Sequence, residues 1–220
     1  MSFHTGQTFT FGETPSATKW NYLWENDYAL ADGTGIEDDA IDSRHYVDGS
    51  IDYVHLGVDV GAYQVLADVT AGGTVTSISS GTFTARRFLK IIAIANPTGG
   101  TLNIGFRFNN DSAGNYCERG SSNGAADATA TGLTQINSKS AIDANRQMTV
   151  GDIDNESAQE KLCIMWSVIR GSAGANTPDR KDGVYKWVNT SAQITRIDMV
   201  DTGGTGDIAA GSRLLVLGRD

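Results

Sequence analysis

Histidine, proline, cysteine and clustered basic charge are all scarce in this chain, and the scarcities of histidine, cysteine and basic charge each close off a class of function. The three histidines are His4, His45 and His55, so residues 61–220 contain none. A histidine-based triad or an imidazole-ligated zinc hydrolase is therefore not expected in that long stretch. Two cysteines, Cys117 and Cys163, make no disulfide framework, and a bridge between them is disfavoured for a chain made in a reducing cytosol. Lysine and arginine number 17 against 26 acids, a formal net charge of −9. Phosphate binding needs clustered cations, so nucleic acid is not an expected partner. No run reaches the roughly 18 apolar residues of a membrane span. The opening MSFHTGQTFTFGETPS has no basic region followed by an apolar one, so neither membrane insertion nor a secretory signal is expected.

What the chain does have is glycine, 26 residues against 3 prolines, with Thr, Ser, Asn and Asp filling the gaps between short apolar runs. Gly, Asn and Asp supply the turn conformations that other residues avoid, so this texture predicts an all-β protein with many turns. TLNIGFRFNN (101–110) alternates, with Leu102, Ile104, Phe106 and Phe108 on one face and Asn103, Gly105 and Arg107 on the other. Further strands are expected in 62–69, 74–79, 82–97, 115–121, 131–138, 147–154, 161–170, 183–189, 193–200 and 212–218. No helical segment is long enough to cover a parallel sheet. The expected fold of 61–220 is an antiparallel two-sheet β-sandwich of jelly-roll type, with an immunoglobulin-like sandwich as runner-up.

Residues 1–56 read differently. They hold Phe3, Phe9, Phe11, Trp20, Tyr22 and Trp24 but no sustained period that would build a core, so a partner surface is expected to receive these aromatics. A short helix is expected over Ala17–Leu23, with Thr14 or Ser16 near its cap. Then comes a ten-residue repeat. DDAID (38–42) aligns with DGSID (48–52), which sets Ile41 on Ile51, Asp42 on Asp52 and His45 on His55.

Candidate sites are few. GDIDNES (151–157) sets acids at alternate positions but lacks the glycine and distal glutamate of a calcium loop, so solvated acids at a strand edge are the better reading. Arg86 and Arg87 suit an acidic glycan or a neighbouring subunit's carboxylates, against a strand edge guarded by charge, the favoured reading. Trp166 is expected in the core. Tyr185 and Trp187 alternate onto one face and are the candidate sugar platform. Carboxylates lie mostly in turn-like strings, so catalysis is not expected, and no cofactor is implied.

Two stretches resemble a known family. NTSAQITRIDMVDTGGTGDIAAGSRLLVLG (189–218) is similar to the last strands of a domain found in tailed-bacteriophage fibre and virion structural proteins. IGFRFNNDSAGNYCERG (104–120) is similar to a strand–turn–strand of the same family, and the repeat resembles its D-G-x-I stem phrases. The end, Val216-Leu217-Gly218, departs from the family's more usual aromatic-glycine ending.

The resemblance implies a homotrimeric virion component, either a tail fibre or spike whose sandwich contacts host-surface glycans, or a head fibre or capsid decoration protein. A stand-alone carbohydrate-binding module is the further alternative. On this reading residues 1–35 dock on other virion proteins, 36–60 form a trimeric stem, and 61–220 form the sandwich. Ile36, Ile41, Ile51 and Leu56 would meet their symmetry mates on a threefold axis, where each buried aliphatic contributes roughly 1.5–3 kcal/mol. Three copies of His45 or His55 could bind a metal there. Packing at the subunit interface is the favoured role, because Arg44 would oppose a cation beside His45.

Overall fold

A computed structural model describes residues 11, 12, 14, 16–22, 63–99, 101–138, 142, 143, 145–171, 174–203 and 208–220. The chain divides into two units, Met1–Val60 and Gly61–Asp220. In the first, helix α1 covers residues 17–22. Ser16 caps it, its Oγ accepting the Lys19 N–H at 3.3 Å, which satisfies one of the free donors of the first turn. Phe11 and Trp20 are exposed there, and Tyr22 is half-buried. Ile36, Ile41, Ile51, Leu56, His45, His55, Phe3, Phe9 and Trp24 lie outside the described residues.

The second unit is all-β. Its large sheet uses β1 (Gln64–Thr70), β3 (Phe88–Ala95), β6 (Tyr116–Ser122) and β7 (Ala128–Leu133). It also uses β10 (Gln147–Asp154), β11 (Lys161–Ile169), β12 (Asp179–Trp187) and β14 (Arg213–Arg219). Their order across the sheet is β1-β14-β3-β10-β11-β12-β6-β7, and every pairing is antiparallel. The small sheet joins β2 (Ser77–Ser79), β13 (Ile197–Asp201), β5 (Ile104–Phe108) and β8 (Ile136–Asn137) in that order, again antiparallel. A two-stranded ribbon pairs β4 (Thr101–Leu102) with β9 (Ile142–Asp143).

One core lies between the two sheets. Leu89, Ile91, Cys163, Met165, Leu214 and Val216 come from the large sheet, and Ile104, Phe106, Phe108, Ile136, Ile197 and Met199 from the small one. Each set recurs at every second residue, as a pleated strand requires. The alternation expected of 101–108 is present, with Leu102, Ile104, Phe106 and Phe108 all buried. An aromatic cluster fills one end. Tyr116 and Trp187 stack with centroids 6.3 Å apart, and Phe108 approaches each ring at 5.9 Å.

The long strand expected over 82–97 begins only at Phe88. Before it, Ser80 and Phe83 donate backbone bonds to Ile197 and Thr195. Asn155 Nδ2 donates to the Arg86 carbonyl at 2.9 Å and to the Ile194 carbonyl at 3.1 Å, so one side chain ties this segment to the residues just before β13. The run expected over 131–138 is also divided. Its start completes β7 in the large sheet, and Ile136–Asn137 cross to pair with β5 in the small one. Gly132, at φ 67°, takes a backbone conformation open to glycine just before that crossing.

Candidate functional site: the outer face of the large sheet

The chemistry-bearing residues resolve mostly into structural roles. Asp111, in the turn between β5 and β6, is a hub. Its carboxylate accepts Trp187 Nε1–H at 2.7 Å, Asn115 Nδ2–H at 2.9 Å and the Ala113 N–H at 2.9 Å. Burial pushes that carboxyl up, but the three donors together outweigh it and hold it below the usual 3.8. Asn109 and Asn110 turn the chain at φ 53° and 57°, values that asparagine tolerates better than most residues. Asn109 Oδ1 then accepts the N–H groups of Thr195 and Arg196, and Asn155 Oδ1 that of Ile194. The two stretches that carried the family resemblance are thus pinned to the fold by these asparagines.

Tyr185 and Trp187 do share one face of β12, but it is the core face: they are 4% and 1% exposed. They offer no sugar platform. Trp166 is the reverse correction. It was expected in the core and is 59% exposed. On β11 the inward positions are Lys161, Cys163, Met165, Ser167 and Ile169, which forces Leu162, Ile164, Trp166 and Val168 outward. Cys163 lies inward and Cys117 on the opposite face, so the two remain free thiols.

The arginines are committed as well. Arg86 donates to Asp220 at 2.6 Å and to Gln64 at 2.9 Å, while Arg87 pairs with Asp154 and with Glu156. They do not guard a sheet edge, because β3 lies between β14 and β10. The acids of 151–157 are not edge groups, because β10 lies between β3 and β11. Asp152 pairs with Lys90 of the neighbouring strand at 2.8 Å, Asp154 and Glu156 meet Arg87, and Asn155 is fully buried. Among the described residues no group of three metal-ligating side chains converges. Lys161 is a fully buried cation that sequence reasoning missed. Burial lowers its pKa, and its ammonium donates to the Gln159 and Asn189 carbonyls.

What remains unexplained by the fold is the outer face of the large sheet. Antiparallel sheets with one solvated face normally show polar residues there. Register places Met148 beside Val168, Val150 beside Trp166, and Ile164 beside Val184. Ile92 and Ile94 of β3 and Leu215 and Leu217 of β14 extend the same face toward β1. Adjoining depressions of about 750 and 440 Å³ run across it. Phe88, Leu162, Ile164 and Val184 help to line the larger, and Met148, Val150, Trp166 and Val168 the smaller. The charges around this field are mutually paired: Lys90 with Asp152, Lys186 with Glu160, Arg180 with Asp182, Arg119 with Asp127. At its margin Arg213 and Asp68 form a two-point pair, which lowers the aspartate and raises the arginine. Compared with protein-family models, with curated proteins and with solved structures, the chain matches none.

Proposed function

We propose that this chain is a non-enzymatic structural protein of a bacteriophage virion, a homotrimeric tail-fibre or spike component whose sandwich is of jelly-roll type. The observation that carries the reading is the aliphatic outer face of the large sheet, a surface suited to assembly. Two further features support it. Asn109 and Asp111 of the stretch 104–120 and Asn189 of the stretch 189–218 serve as turn and packing pins, the role of residues in a building block. The ten-residue isoleucine repeat supplies one apolar side chain per short period, as a threefold seam needs. Residues 1–35, rich in aromatics, would dock on other virion proteins.

The glycan-contact part of the expectation loses its aromatic platform, because Tyr185 and Trp187 are packed in the core. A head fibre or capsid decoration protein shares every supporting feature except the D-G-x-I phrases, which favour the tail. The test is antibody labelling of intact particles with serum raised against the whole chain, viewed by electron microscopy. Label at the tail tip or fibres is the expected result. Label on the capsid transfers the reading to a decoration protein, and unlabelled particles refute the virion assignment.

A further inference from the structure

The outer face of the large sheet carries enough apolar surface to identify what covers it. Leu162, Ile164, Trp166, Val168, Val184 and Met148 are each between 41% and 59% exposed. For side chains of this size that leaves roughly 600 Å² uncovered, at or above the largest patch of a typical monomer and near the ~800 Å² each partner gives a standard interface.

The cover must also match in chemistry. A hydroxyl-rich ligand would find few free donors or acceptors, since Lys90, Arg119, Arg180 and Lys186 are all engaged with acids of the same chain. Those same pairs leave no cationic field to attract an anionic partner such as nucleic acid or an acidic membrane. For a chain of net charge −9, self-association is opposed wherever the excess acid meets itself. This face is a place where it does not, because its charges cancel in neighbouring pairs.

We infer that a second copy of this chain covers the outer face of the large sheet, with Trp166 as the central anchor. The inference rests on the assembling role proposed above. It adds a contact within 61–220 to the stem contact expected of 36–60. Large aromatic side chains at the centre of a desolvated patch dominate binding in such interfaces, and Trp166 has that position between Val150 and Asp182.

The experiment is sedimentation equilibrium of the full chain in three further forms besides the wild type. These are a face variant (Ile164→Lys with Trp166→Lys), a stem variant (Ile41→Asp with Ile51→Asp), and the combination of both. The face variant is expected to associate about 30-fold or more weakly, as loss of a central anchor does. The stem variant should retain association that the combination abolishes. A face variant that associates like the wild type overturns the inference and leaves assembly through the stem standing. A wild-type chain that is monomeric at every concentration overturns both. Should the charged variant fail to fold, the native Cys117 is the reporter, since it lies on this face, half-buried, and lines the larger depression. Its reaction with a maleimide should slow as protein concentration rises, and a rate independent of concentration overturns the inference.

Discussion

Replacing Trp187 with alanine should cost far more stability than the same change at Trp166, although sequence reasoning placed them the other way round. Trp187 is 1% exposed, stacks on Tyr116 at 6.3 Å and meets Phe108 edge-on at 5.9 Å. Truncating a buried aromatic removes its transfer free energy and leaves a cavity that its neighbours close only in part, together about 3–5 kcal/mol. The change also removes one of three donors to Asp111, while Asn115 and the Ala113 N–H remain. About 4 kcal/mol in a domain of this size lowers Tm by roughly 8–16 °C. Trp166 is 59% exposed, so its loss should cost the separated chain less than about 1 kcal/mol. The assay is guanidinium unfolding of the full chain, followed by circular dichroism, at several protein concentrations. The Trp187→Ala shift should not depend on concentration, whereas the Trp166→Ala shift should grow with it, because binding stabilises by mass action. Equal costs for the two in dilute solution would refute the strand parity, since a one-residue slip exchanges the faces.

Other expectations follow from particular contacts. Asp111→Asn should destabilise by about 1–3 kcal/mol near neutral pH, as loss of a charged acceptor in a satisfied hub does. The folded carboxyl sits below 3.8, so its contribution is present above that value and is lost as pH falls through the folded pKa. The gap between wild type and variant should therefore shrink in acid-unfolding curves below about pH 4, and a constant gap would contradict the assignment. Gly183→Ala places a Cβ 2.7 Å from Cζ of the buried Tyr185 ring, and such overpacking should cost about 1–3 kcal/mol in denaturant unfolding. Burial pushes the Cys163 thiol up, so only Cys117 should react with Ellman's reagent in the folded chain, and both on unfolding. Removing residues 1–35 should leave a soluble assembly that no longer joins particles; normal incorporation would place the docking surface elsewhere.

How much was legible in the sequence depended on the strand. In 101–108 apolar and polar residues alternate, so one face could only be the core, and Leu102, Ile104, Phe106 and Phe108 are there. The run 147–154 was bounded by its flanking polar residues and is β10 in full. Segment 161–169 is apolar on both faces, and nothing local says whether Cys163 and Met165 or Ile164 and Trp166 turn inward. The pair Tyr185 and Trp187 had the right shared face but no sign of which face that was. Glycines at 151, 183 and 218, on the inner side of the large sheet, were invisible as core signals because their part is to make room for Met165, Tyr185 and Leu66.

By itself, then, the amino-acid sequence determined that residues 61–220 are strands and turns, since period-two patterning and turn residues act locally. Sheet order came only with tertiary structure. β14 lies between β1 and β3, and β10 lies beside β3, because pairing depends on partners far apart in the chain. Those pairings fix the inward parity of β11 and β12. The parity buries Trp187 and turns Trp166, with its aliphatic neighbours, to the outside.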